Sequence, residues 1–247
     1  WLNRTEAVQW WSTIMAEVKW YRVKYKSKRF GNECETPCWT SFYGGLPAFS
    51  PYEPVPAWLQ PLVAQVSTCC GGAPFNAVLM RLYFDGSDEI AWHTDGREFL
   101  GLTPTIASLS LGAAAEFQMR RMTNVWPCAS TPNGGVDRNT PRRDFKVCDG
   151  DLLAMSHDTQ AHWHHRIPKA PNRRPRININ FRYIIPGAPS AEHGQYTYYK
   201  YMVHGDAGAA AQSFSYQDIQ RLCRTATMSS FFGALPLDTS ACHTTST

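Results

Sequence analysis

The stretch with the most chemical content is His93-Thr94-Asp95. In an extended strand residues i and i+2 share a face, so this imidazole and carboxylate can reach one ion. A second imidazole from a remote segment would complete two histidines and one carboxylate. That facial set holds Fe(II) and leaves three coordination positions open for a keto acid and oxygen. Taken alone, His-x-Asp equally describes a surface strand end with a His–Asp pair. Candidates for the third ligand are His157, His162, His164 and His165.

A second pattern lies downstream, in Arg176-Ile-Asn-Ile-Asn-Phe-Arg182. Its alternation is that of a strand, with Arg176, Asn178, Asn180 and Arg182 on one face and Ile177, Ile179 and Phe181 on the other. Two arginines turned inward need an anion, because burying them unpaired is very costly. A dicarboxylate supplies one, through the two parallel hydrogen bonds that guanidinium makes with carboxylate. The bland alternative is an exposed polar strand face.

These residues need elements to hold them. From Phe75 onward, short β-like runs occur at 77–84, 89–93, 105–111, 116–122, 143–148, 152–156 and 176–185, punctuated by Gly, Asp, Asn or Pro. That spacing predicts an antiparallel sandwich or jelly roll. Upstream, 5–18 reads as an amphipathic helix with Thr5 as N-cap, and 56–69 as a second helix with Pro56 near its first turn and Gly71-Gly72 after its end. Residues 19–55 have a loop-and-hairpin composition, and 124–139 reads as a long insertion between strands. Past Pro186 the pattern weakens, with a short helix expected at 215–224 and a Ser/Thr-rich end from Asp238. The chain thus divides into 1–74, 75–187 and 188–247.

With 247 residues, 43% hydrophobic and 13% aromatic, the chain can bury a substantial core, which argues against wholesale disorder. A net charge of +4 permits a polyanionic partner without demanding one. The eight cysteines are irregularly spaced, and adjacent Cys69-Cys70 suits neither a disulfide framework nor a paired zinc site. They read as reduced thiols in an intracellular protein, nuclear or cytoplasmic. No run of apolar residues is long enough to span a membrane, and the N-terminus lacks the pattern of a signal peptide. Starting at Trp1 suggests an excised fragment, from which a targeting segment can be missing.

The order and spacing of several motifs resemble the AlkB family of dioxygenases. They are Phe75-Asn76, Tyr83-Phe-Asp-Gly86, Ile90-Ala-Trp-His-Thr-Asp95, Pro104-Thr-Ile-Ala-Ser-Leu-Ser-Leu-Gly112, Gly150-Asp-Leu-Leu-Ala-Met155, His162-Trp-His-His-Arg-Ile-Pro168 and Arg176 to Arg182, with Tyr43-Gly44 to Phe49-Ser50 a fainter match. The resemblance implies a mainly β fold with flanking helices: a double-stranded β-helix, or jelly roll, behind an N-terminal helical and hairpin lid that reads the nucleotide. It implies His93, Asp95 and His165 as iron ligands, His165 being preferred because it precedes Ile167-Pro168. It implies Arg176 and Arg182 for the carboxylates of 2-oxoglutarate, with Tyr83 and Asn178 as hydrogen-bonding helpers.

The implied reaction uses Fe(II), 2-oxoglutarate and molecular oxygen to remove N-alkyl groups oxidatively from bases of DNA or RNA, in a monomer. For the base, the resemblance points to Phe49 in the lid, with Tyr43 beside it, and to Trp92 at the pocket mouth. The basic stretches 24–29, 120–121, 138–143 and 173–174 could follow phosphates. The sequence departs from the family pattern at Arg81, where Asn is usual, at Arg97, where an acidic residue is usual, and at Ala115, where Arg is usual. Arg97 in the pocket would repel a cationic methylated base. That favours a neutral one, or else a protein, lipid or small-molecule substrate on the same fold.

Overall fold

The computed structural model describes residues 1–22, 24–26, 33–36, 38–45, 53–95, 100–123, 135–171, 173–186 and 213–226. Phe49 and Arg97 lie outside them.

Two antiparallel sheets carry the fold, a jelly roll as the strand spacing predicts. One orders β3 (Trp39–Gly44), β4 (Ala77–Tyr83), β11 (Arg176–Arg182), β6 (Ile106–Gly112) and β9 (Leu152–Met155). The other orders β5 (Ile90–His93), β10 (Trp163–Ile167), β7 (Ala115–Arg121) and β8 (Arg143–Val147). A separate hairpin pairs β1 (Lys24–Lys26) with β2 (Glu33–Glu35), inside the segment whose composition suggested one. Among the described residues no helix is long and apolar enough to cross a membrane.

The five-stranded sheet has two unlike faces. On one, Ile177, Ile179 and Phe181 of β11 join Val78, Met80 and Leu82 of β4 and Leu109 and Leu111 of β6, all fully buried. Helices α1 (Arg4–Glu17) and α2 (Gln60–Cys69) supply Ile14, Leu62 and Val66 to the same cluster. Each such side chain contributes about 1.5–3 kcal/mol when fully buried. Gly112 ends β6 at φ +85, and a Cβ there would stand 2.5 Å from Trp11 of α1 and 2.7 Å from the Pro175 carbonyl. Close packing of α1 on the sheet therefore requires glycine at this place.

Local chemistry moved several expected boundaries. The N-cap of α1 is Asn3, not Thr5. Asn3 Oδ1 accepts from the Glu6 amide at 3.0 Å and Glu6 returns its carboxylate to the Asn3 amide at 2.9 Å, a reciprocal cap that Thr5 could not make from inside the first turn. Helix α2 starts at Gln60, after a turn over 57–59, with Pro61 where its missing N–H costs nothing. Strand β3 lies in a region read as loop and hairpin, yet it pairs with β4 along its whole length. The segment 216–226 is helical, as expected nearby. Cys148 is disulfide-bonded, against the expectation of reduced thiols, because pairing depends on which chain segments meet and not on spacing.

One buried carboxylate ties the N-terminal part to the barrel. Asp88, 3% exposed, accepts from the Phe84 amide at 2.6 Å and from Arg22 Nη2 at 3.1 Å, while its backbone carbonyl accepts from Arg173 Nη2 at 2.7 Å. Burial raises its pKa to about 6, against the opposing pull of the Phe84 amide and Arg22. A folded-state pKa above the unfolded one means that stability is fully present below the unfolded value and is lost as pH rises through the folded value. Unfolding free energy measured by urea titration at stepped pH should therefore fall for the native chain relative to Asp88→Asn by about 1–3 kcal/mol between roughly pH 4 and 6.

Candidate active site

His93 ends β5 and His165 is the third residue of β10, and the two stand directly opposite in the antiparallel register. Their rings are 4.2 Å apart. Asp95 follows two residues after His93, so its carboxylate reaches the same point: Oδ1 is 3.9 Å from His93 Nε2, and Oδ2 is 4.0 Å from His165 Nε2. One ligand atom from each of the three lies within 4.8 Å of the others. The set offers two imidazole nitrogens and one carboxylate, the donors that suit Fe(II).

Each ligand is held from behind. His93 Nδ1 lies 2.8 Å from the Ala91 carbonyl, an arrangement that makes Nδ1 the protonated nitrogen and leaves Nε2 with its lone pair toward Asp95. The Phe117 ring of β7 stacks on His165 at 5.4 Å and 17°. Asp95 donates its backbone N–H to Gln160 Oε1 at 2.8 Å, and Gln160, 0% exposed, sits in the short helix Thr159–His162. Arg182 Nη2 donates to Asp95 Oδ1 at 2.8 Å.

The charges follow from this enclosure. Burial pushes the His165 pKa down to about 3, with help from His93 and against Asp95. Burial also lowers His93, which keeps 35% of its side chain open to the cleft against 7% for His165. For Asp95 burial acts upward, but Arg182 and then the two histidines outweigh it, and its pKa lies below the usual carboxylate range. Near neutral pH the trio is thus two neutral imidazoles and one carboxylate, the protonation state in which all three can ligate.

The cleft beside the trio has the second face of the five-stranded sheet as its floor. There Asn178, Asn180 and Arg182 of β11 lie beside Arg81 and Tyr83 of β4. Asn178 donates to Ser108 Oγ at 2.7 Å and Asn180 to Asn178 Oδ1 at 2.9 Å. Arg176, 1% exposed, donates from Nη2 to Ser110 Oγ at 2.8 Å and lies over the Tyr83 ring at 5.1 Å. Its Nε and Nη1 have no hydrogen-bond acceptor among the described residues. Burial lowers the Arg176 pKa and raises that of Tyr83 to about 12, so the phenol keeps its proton and remains a donor. A buried guanidinium with unused donors is a fitting seat for a carboxylate.

The structure thus brings together His93, Asp95, His165, Arg176, Arg182, Tyr83, Asn178 and Arg81. Two expectations are corrected. Tyr43 was expected to face substrate, but its side chain belongs to the cluster under α1 and α2, because strand alternation sends Phe42 toward the inter-sheet core and Tyr43 away from it. Trp92, expected at the pocket mouth, neighbours His93 in β5 and therefore points to the opposite face, between Arg120 and Arg166. Arg173 is also no phosphate contact: it is buried over Tyr83 and held by the Asp88 and Pro168 carbonyls. Sequence reasoning missed Gln160, Phe117, Ser108 and Ser110. The two serines were visible in the alternation of Ile106-Ala-Ser-Leu-Ser-Leu-Gly112, whereas nothing local marks Gln160.

The chain is similar in sequence to known oxygenases. A family model described as the 2OG-Fe(II) oxygenase superfamily matches residues 1–182. Over 162 residues the chain is 37% identical to the alpha-ketoglutarate-dependent dioxygenase alkB homolog 3 of Mus musculus, covering 62% of this chain and 54% of that protein. Over 191 residues it is 30% identical to the DNA oxidative demethylase ALKBH2 of Mus musculus, covering 73% of this chain and 72% of that protein. The chain spans about half the length of the alkB homolog 3 relatives it matches. Among solved structures, that of OsALKBH1 aligns with 74% of this chain and 93% of its own at 16% identity and a TM-score of 0.48.

Because Gln160 fixes the Asp95 backbone and is not one of the three ligand side chains, Gln160→Leu should lower divalent-metal affinity by about 10–100-fold while leaving the fold intact. Titration with Co(II) or Mn(II), followed alongside circular dichroism, measures both.

Proposed function

The chain belongs to the AlkB family within the 2OG-Fe(II) oxygenase superfamily, and from that premise we propose that it is an oxidative demethylase of N-alkylated bases in DNA or RNA. The observation that carries the reading is the convergence of His93, Asp95 and His165 beside a buried arginine floor. In this reading the three residues hold Fe(II), and Arg176 holds one carboxylate of 2-oxoglutarate with Tyr83 and Asn178 beside it. Fe(II), with 2-oxoglutarate and oxygen, supplies the oxidising power that hydroxylates an N-alkyl carbon. The product then separates into an aldehyde and the unmodified base.

The chain's own residues position and shield. Arg182 grips Asp95 and keeps its carboxylate ionised and aimed. Phe117 and Ile167 wall the cleft with hydrocarbon, which excludes water beside the ligands. A base must leave its stack to present an alkyl group beside these ligands. Arg81, where the family pattern has Asn, adds a cation to that cleft and favours a neutral modified base over a cationic one. The same residue supports a second reading, a dioxygenase of this family acting on an anionic protein, lipid or metabolite substrate.

The test is incubation of the full chain with Fe(II), 2-oxoglutarate and a panel of methylated single- and double-stranded oligonucleotides, with mass spectrometry of the nucleosides. Loss of N-methyl groups with release of formaldehyde is the expected result. 2-Oxoglutarate turnover with every oligonucleotide untouched would overturn the demethylase reading. Arg176→Met should weaken 2-oxoglutarate binding by about 100-fold, since it removes a desolvated charge partner, and His165→Ala should abolish turnover.

A further inference from the structure

The outer face of the four-stranded sheet carries charge that the cleft chemistry does not use. Trp92 lies there with the Arg166 guanidinium over its indole at 4.6 Å and the Arg120 guanidinium over the same ring at 4.5 Å. Two like charges thus share one aromatic ring. Neither is within ion-pair distance of a carboxylate among the described residues. On the same face Arg142 pairs with Asp144 at 2.6 Å, and Glu116, opposite Lys146 in the register of β7 and β8, accepts from Gln118 Nε2 at 2.6 Å. Arg120 and Arg166 are the two cations that stand together over one ring with no ion-paired carboxylate among the described residues.

Both arginines are preorganised. Arg120 Nε donates to His164 Nδ1 at 3.3 Å, and Arg166 Nε donates to Gln118 Oε1 at 2.7 Å. His164 and Gln118 are themselves buried. Anchored through Nε beside the indole, each guanidinium keeps terminal N–H groups for a ligand. Stacking on an indole at a partly exposed site is a weak attraction, which does little to offset placing two uncompensated cations together; an anion at both edges would. The position also matters, because Arg166 lines the cleft as well as stacking on Trp92. Arg166 directly follows His165, so the stack and the candidate metal ligand share strand β10.

We propose that Arg120 and Arg166, set by Trp92, form a clamp for the backbone phosphates of a single-stranded nucleic acid running out of the cleft. The proposal rests on the nucleic-acid reading given above and adds to it the surface and the part of the strand recognised. Trp92 serves the phosphates through its arginines and does not stack a base, since its ring is occupied by guanidinium. Recognition of this kind is independent of sequence and strongly dependent on salt.

The test is fluorescence anisotropy of a labelled, unmodified oligothymidylate with the full chain, without 2-oxoglutarate, over a series of salt concentrations. Two phosphate contacts on a single strand contribute a log–log salt slope of about 1.4, so Arg120→Gln/Arg166→Gln should lower the slope by about that amount. Arg120→Lys/Arg166→Lys keeps both charges and should keep most of the slope. If the double glutamine variant does not fold, Arg120→Gln alone should lower the slope by about 0.7. An unchanged slope in a folded glutamine variant overturns the clamp, and so does equal loss of slope in the lysine and glutamine variants. The demethylase reading fails separately, by absence of formaldehyde from methylated oligonucleotides with the native chain, a result that leaves the salt slopes readable.

Discussion

The site depends on a backbone register. His165 of β10 and His93 of β5 face each other because the two strands are hydrogen-bonded in that pairing. A slip of one residue would send the first imidazole to the outer face and bring His164 or Arg166 inward. The pairing is pinned from both sides. Beyond β10 the register with β7 runs unbroken from Trp163 to Arg166, and the irregularity between His165 and Ile167 falls just past the ligand. Asp95 needs no strand of its own, because Gln160 holds its backbone and Arg182 its carboxylate. Three side chains from two remote segments are thus brought to one point mainly by main-chain geometry, which side-chain substitutions perturb least.

The second constraint is electrostatic. A sandwich interior is normally apolar, yet here Arg176, Asn178, Asn180 and Arg182 are all buried between the sheets. Their cost is contained by mutual satisfaction: Asn180 to Asn178, Asn178 to Ser108, Arg176 to Ser110, Arg182 to Asp95. What is left over, the unused donors of Arg176, lies where a diacid would complete the network. The opposite face of the same strand provides the compensating stability, with Ile177, Ile179 and Phe181 sealed beneath the helices.

Much of this was legible in the residues. The alternation of 176–182 gave both faces of β11 correctly, and the i, i+2 spacing of His93 and Asp95 gave their shared direction. The jelly roll followed from the close punctuation of short strands. Strand β10 did not announce itself, because Trp163-His-His-Arg-Ile167 is patterned by ligand and charge, not by hydrophobicity. The same alternation turns Tyr43 of β3 and Trp92 of β5 away from the cleft, since strand parity sets a side chain's direction whatever its aromatic character. Gln160 was invisible because its role arises from a contact 65 residues away in sequence. Cys148 was likewise hidden, since its pairing is a fact of three-dimensional proximity.

The two-faced character of β11 has an evolutionary side. Odd-numbered positions of the strand answer to the helices, and even-numbered ones to the cleft, with little traffic between them. Divergence can therefore rewrite the polar positions while selection on foldability acts on their neighbours. A scaffold divided in this way can drift toward new chemistry at small structural risk, residue by alternate residue.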